Sequence, residues 1–206
     1  MISVKICGLT CREDMDAVNR FAPDYAGFVF APSRRQVSPE TARSLIRGLA
    51  DGVLPVGGFV NEAPQRVAFV AAMCGLKVIQ LHGDEDADVQ EEVKRLTGRE
   101  VWKAVRVQDE KSLLEVSRGK AHRYLLDAYH PEQRGGCGQT FDWSLLKEIP
   151  SEKIMLAGGL TTANVVQAMR AVKPYGVDVS SGVETDGRKD PEKIKEFIRI
   201  VRGESI

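Results

Sequence analysis

Ser3-Val4-Lys5-Ile6-Cys7-Gly8, continued by Leu9-Thr10-Cys11-Arg12-Glu13, reads as a buried strand, a turn and the opening of a helix. Val4 and Ile6 alternate with Lys5 and Cys7, Gly8 interrupts the strand, and Thr10 with Glu13 three residues on fits a capping box. The unit recurs along the chain. Runs rich in Val, Ile, Leu or Phe start near Ser3, Tyr25, Leu54, Lys77, Val101, Arg123, Lys153 and Gly176. Near-continuous apolar runs of this kind mark parallel strands buried on both faces. An amphipathic, helix-like segment follows each one. Ser38-Pro39-Glu40 offers an N-cap and a proline at the first helical position. Asn61-Glu62 reads as the opening of the third helix and Asp190-Pro191-Glu192 as that of the last. Eight repeats of about 26 residues predict an α/β fold, a single-domain (β/α)8 TIM barrel over residues 1–206, near the minimum length for that fold. A doubly wound open sheet is the competing arrangement, and eight even repeats with no leftover element favour closure.

Composition narrows the function. With 206 residues and 43% hydrophobic content the chain can bury a real core. Lys and Arg balance Asp and Glu at 29 each, so no net field draws the protein to nucleic acid or membrane, and a small-molecule ligand is the expected partner. The four cysteines, Cys7, Cys11, Cys74 and Cys137, show no pairing rhythm. They read as reduced thiols of a cytoplasmic protein. The first residues lack the apolar stretch of a signal peptide, and no run approaches the roughly 20 apolar residues of a membrane helix.

Side chains two apart on a strand share a face. If Val4, Ile6, Ile79, Leu81, Leu126, Val177 and Val179 point outward to helices, then Lys5, Cys7, Gln80, His82, Leu125, Asp127, Asp178 and Ser180 point to the barrel axis. A purely structural barrel would fill those positions with Val, Ile and Leu. Polar groups at the C-terminal ends of four strands mark a ligand site, because that end carries the active site in this fold.

Cys7 and Asp127 are the two groups that can move protons. A lone cysteine is usually inert packing. Cys7 differs in ending a strand on the inward face, beside Gly8 and above Lys5, where a cation raises its thiolate fraction. Cys7 with Cys11 makes no metal site, since no second pair exists. Asp127 ends an apolar strand and precedes the glycine-rich Gly135-Gly136-Cys137-Gly138. To act as an acid near neutrality it must be protonated, which asks for an upward shift of about three units, roughly 4 kcal/mol. Gly158-Gly159-Leu160 after the seventh strand and Ser180-Ser181-Gly182 after the eighth sit where barrels of this class bind phosphate through backbone N–H groups. No GxxxxGK[ST] loop occurs, which argues against a nucleoside triphosphate. Arg34 and Arg35 stand at the rim, either solvated or presenting a guanidinium to a carboxylate ligand. His82 admits two readings, a satisfied core histidine or a pocket group. His122, His130, Trp102 and Trp143 carry no pattern.

Taken in order, Val4-Lys5-Ile6-Cys7-Gly8, Gly27-Phe28-Val29-Phe30 with Ser33-Arg34-Arg35, Val78-Ile79-Gln80-Leu81-His82-Gly83, Leu125-Leu126-Asp127, Phe141-Asp142-Trp143, Ala157-Gly158-Gly159-Leu160 and Val177-Asp178-Val179-Ser180-Ser181-Gly182-Val183-Glu184 resemble the phosphoribosylanthranilate isomerases of tryptophan biosynthesis. One position departs: Cys137 stands where the family's glycine-rich loop usually has Ser or Thr. The resemblance implies an Amadori rearrangement of N-(5-phosphoribosyl)anthranilate with Cys7 as general base and Asp127 as general acid. It further implies Arg35 on the anthranilate carboxylate, and Gly158, Gly159, Ser180, Ser181 and Gly182 on the phosphate, with His82 and Asp178 also toward the substrate. No metal or redox cofactor is expected, and the protein would be a monomer or homodimer. Two rivals are another phosphosugar isomerase or epimerase on the same fold and a non-catalytic phosphosugar-binding barrel.

Overall fold

The computed structural model describes residues 1–107, 112, 114–127 and 149–203. Eight strands, β1 (Ser3–Cys7), β2 (Tyr25–Val29), β3 (Leu54–Phe59), β4 (Val78–Leu81), β5 (Glu100–Arg106), β6 (Arg123–Asp127), β7 (Ile154–Ala157) and β8 (Gly176–Val179), close into one barrel. Each pairs in parallel with the next, and β8 returns to β1, setting Lys5 opposite Asp178 across the seam. Five strands start at the residue the apolar runs predict, and the other three within one residue. Around them lie α1 (Arg12–Phe21), α2 (Pro39–Ile46), α3 (Pro64–Cys74), α4 (Ala87–Thr97), α5 (Leu114–Arg118), α6 (Val165–Val172) and α7 (Pro191–Val201). The helix expected after the sixth strand, with Gly135–Gly138, Phe141-Asp142-Trp143, His130 and Cys137, lies outside the described residues.

The strand alternation sorts the core into two layers. Val4, Ile6, Ile79, Leu81, Leu126, Val177 and Val179 join the shell between sheet and helices, where Phe197 and Ile194 of α7 meet them. Tyr25, Val56, Val78, Trp102, Leu125, Met155 and Ala157 fill the barrel interior. Each fully buried aliphatic side chain is worth roughly 1.5–3 kcal/mol, so this pattern holds the register.

Local signals set the helix starts unevenly. Ser38 caps α2 through Oγ, which accepts from Thr41 N at 3.1 Å, and Asp190 caps α7 by accepting from Glu192 N and Lys193 N. The first capping box is one residue later than Thr10 and Glu13 predict: Cys11 is the N-cap and the Asp14 carboxylate reaches back to the Cys11 and Thr10 N–H groups. Asn61 does not open α3. It holds a left-handed φ of 50° and bonds forward to Asp84, while Ala63 precedes the helix. A short hairpin, β9 (Glu184–Thr185) and β10 (Arg188–Lys189), follows β8 and was not expected. Among the described residues no helix is long and apolar enough to cross a membrane.

Candidate active site

A cavity of about 420 Å³ opens at the C-terminal end of the strands. Cys7 reaches it from the end of β1, His82 from just beyond β4, Asp127 from the end of β6, and Asp178 and Ser180 from β8 and its exit. Gly158, Gly159, Ser181, Gly182 and Arg35 complete the wall, so the residues expected to act on or hold the substrate border one space, whereas Arg34 and Cys11 do not line it. The two glycine-bearing loops are fitted to each other: a Cβ at Gly182 would run into the Leu160 carbonyl.

Several of these groups are engaged with the protein itself. Lys5 is fully buried and donates to Asp178 Oδ1 at 2.8 Å. Burial alone would depress the Lys5 pKa, but the Asp178 carboxylate and the Cys7 thiol beside it raise it, so the ammonium persists. Ser180 Oγ donates to the Cys7 carbonyl at 3.0 Å, fixing the end of β1 to the loop after β8. Arg35 is no solvated rim side chain. Its Nε and Nη2 donate to Glu184 at 2.7 and 2.8 Å, and Arg34 adds a third bond at 2.9 Å. Gly8 makes this possible, since a Cβ there would collide with Arg35 Cδ.

His82 packs with Gln80, Nε2 of the amide lying 3.0 Å from Nδ1 of the ring. Burial pushes the imidazole below the ordinary histidine value, with Lys5 and Lys103 adding to that push and Asp127 and Asp178 opposing it. The ring is therefore neutral near pH 7. Gln80 is 4% exposed, borders the cavity, and its Oε1 finds no partner among the described residues. Also among the described residues, no three His, Cys, Asp or Glu side chains gather as metal ligands do.

Reading the sequence alone assigns Glu184 no role and does not single out Lys189, Glu85 or Lys103. Lys189 Nζ donates to Glu184 Oε1 at 2.7 Å and to the Ser180 carbonyl at 3.0 Å. Burial works against the Glu184 charge, yet the hydrogen bonds and charges of Arg35 and Lys189 outweigh it and hold the carboxyl down at about 2. Asp186-Gly187 was the available signal. An Asp-Gly pair between short runs marks a two-residue hairpin turn, which folds Lys189 back onto Glu184. Glu85 is tied to the N–H groups of Asn61 and Gly83 at 2.8 Å each, and Lys103 bonds the Gly83 carbonyl at 2.6 Å. That buried network sets the backbone just past His82.

An eight-stranded parallel barrel whose thiol, carboxyl and imidazole groups gather at the C-terminal face defines an enzyme of the (β/α)8 class. The sequence profile described as PRAI: N-(5'phosphoribosyl)anthranilate (PRA) isomerase matches residues 4–200, and the chain belongs to that family. The N-(5'-phosphoribosyl)anthranilate isomerase of Acetivibrio thermocellus is 51% identical over 210 residues, spanning 98% of this chain and 96% of that protein. The phosphoribosyl anthranilate isomerase structure from Thermotoga maritima superposes with a TM-score of 0.88 at 41% identity, covering 98% of this chain and all of the other. A phosphoribosyl anthranilate isomerase in complex with reduced 1-(o-carboxyphenylamino)-1-deoxyribulose 5-phosphate superposes with a TM-score of 0.85 at 38% identity, over 98% of this chain and all of that one. The protein is an isomerase.

Proposed function

We propose that this isomerase converts N-(5-phosphoribosyl)anthranilate to 1-(2-carboxyphenylamino)-1-deoxyribulose 5-phosphate in tryptophan biosynthesis, with Asp127 as general acid and Cys7 as general base. The observation that carries the reading is that Cys7 and Asp127, on β1 and β6, border one cavity together with the loops at Gly158–Leu160 and Ser180–Gly182. The ligand of the related complex is a reduced form of that product, which supports the substrate class.

The chemistry follows from the groups. Asp127 gives its proton to the ribose ring oxygen as the bond from that oxygen to the anomeric carbon breaks, leaving an open-chain cationic Schiff base. Cys7 thiolate then removes the proton from the adjacent sugar carbon, and the electron pair neutralises the nitrogen as an enolamine. Tautomerisation moves the enol proton to the former anomeric carbon and yields the ketone. No atom is gained or lost. Lys5, Arg35 and Lys189 all feel charge at Cys7, so a thiolate there is faced by three cations. Arg35 holds the carboxylate of the anthranilate ring, and the two loops hold the phosphate through backbone N–H groups.

The test is a coupled assay in which the substrate is made in place from anthranilate and phosphoribosyl pyrophosphate and its fluorescence is followed. Wild-type protein is expected to quench the signal. Cys7→Ala and Asp127→Ala should each lower kcat by roughly 10²–10⁴-fold while circular dichroism stays native. Full activity in either variant removes that residue from its role, and a folded wild-type protein without turnover rejects the substrate.

A further inference from the structure

We propose that Glu184 is a positioning residue for carboxylate recognition, fixing the Arg35 guanidinium beside Cys7 and anchoring it through Lys189 to the loop after β8. The inference rests on the reading of Arg35 as the receptor for the substrate carboxylate.

Glu184 is the hub of the cavity rim. Its side chain is 5% exposed and it carries three cationic partners, Arg34, Arg35 and Lys189, the last 2% exposed. A carboxylate is not buried at this depth without compensation, and here the compensation comes from groups that border or adjoin the cavity. From Glu184 a continuous set of bonds runs to Lys189 at 2.7 Å, from Lys189 to the Ser180 carbonyl at 3.0 Å, and from Ser180 Oγ to the Cys7 carbonyl at 3.0 Å. The Arg35 stem passes over Gly8, where no Cβ obstructs it. Arg35 is thus given room at its middle and held at its head.

The geometry of the fork matters. Glu184 takes the Nε and Nη2 side of the guanidinium, which leaves the Nη1–Nη2 end for a second carboxylate in the same bidentate manner. One carboxylate against three cations also leaves the rim cluster positive, which suits an anionic ligand. Without the fork, Arg35 is a long flexible side chain that each binding event must immobilise, and that cost is paid in affinity.

The experiment is a double-mutant cycle with steady-state kinetics on wild type, Glu184→Gln, Arg35→Ala and the double variant, each also followed by thermal unfolding. Glu184→Gln is expected to raise KM about tenfold with kcat largely kept, because the lost interaction acts on binding. In the Arg35→Ala background it should add nothing further. An unchanged or lowered KM in Glu184→Gln overturns the proposal, as does an equal rise with and without Arg35, which would make Glu184 a structural prop. If Glu184→Gln does not fold, Glu184→Asp replaces it in the same cycle, keeping the charge while falling one methylene short of the fork. Arg35→Ala alone separates the two ideas. Should it leave KM unchanged, the carboxylate role of Arg35 fails and this inference falls with it. Should it raise KM while the Glu184 arm fails, the role stands and the inference alone falls.

Discussion

Gln80 and His82 leave the same strand two residues apart, so both face the cavity, and they meet at 3.0 Å. The protein withholds charge from this imidazole by burying it. In the unfolded chain His82 titrates near its ordinary value of about 6.5. Below that pH the unfolded chain takes up a proton that the folded protein refuses until its lower pKa is reached. Stability therefore rises with pH in this window and falls as pH drops from 7 toward 5, by at most about 1.4 kcal/mol per unit for this one group. Urea unfolding at several pH values should show a shallower slope for His82→Asn than for wild type. Equal slopes would mean that the folded protein accepts the charge. His122→Asn is the natural comparison, since burial lowers that histidine as well.

At the scale of elements, α7 depends on a cap that is readable in three residues, Asp190-Pro191-Glu192. Asp190 accepts from Glu192 N and Lys193 N and also from Thr185 Oγ1 at 2.6 Å, joining the helix to β9. Asp190→Ala should cost about 1 kcal/mol, and a barrel of this size should then lose about 2–4 °C in Tm. An unmoved Tm would mean that solvent satisfies the helix end equally well. Caps and strands of this sort were legible because their information is local: an apolar run, a Ser or Asp before Pro, a period of two. Asn61 was not, because its left-handed turn is stabilised by Asp84 and Glu85 from the next strand's loop, some 23–24 residues away. Thr10 and Cys11 compete for one cap within a single turn, and Asp14 settles it by taking both N–H groups. The site divides the same way. Cys7, His82 and Asp127 follow from strand parity alone, whereas the grip of Glu184 on Arg35 joins residues 149 apart and rests on a hairpin that only Asp186-Gly187 announces.

Across the whole molecule the two ends of the barrel differ in kind. The end carrying Cys7, Asp127 and Arg35 holds the cavity. The other is closed by a plug in which Tyr25 meets Trp102 edge to face at 4.9 Å and Tyr175 through a hydroxyl contact at 2.7 Å, while Arg123 covers the Tyr175 ring at 3.7 Å. Trp102 is fully buried and its Nε1 donates to Glu100 at 2.7 Å, so both its apolar body and its polar edge are satisfied. It lies outside the cavity lining. If stability sits at one end and chemistry at the other, as barrel enzymes arrange it, a defect in the plug should cost folding without touching turnover. Trp102→Ala is expected to lose about 3–5 kcal/mol of stability, a large share of the roughly 5–15 kcal/mol a domain possesses. Trp102→Phe, which keeps a ring but forfeits the Glu100 hydrogen bond, should fall between. Kcat measured well below each unfolding transition should match wild type in both. A fall in kcat that tracks the loss of stability would show instead that the plug and the Cys7–Asp127 pocket are one mechanical unit, coupled through the side-chain layers of Leu125 and Met155 that lie inside the barrel.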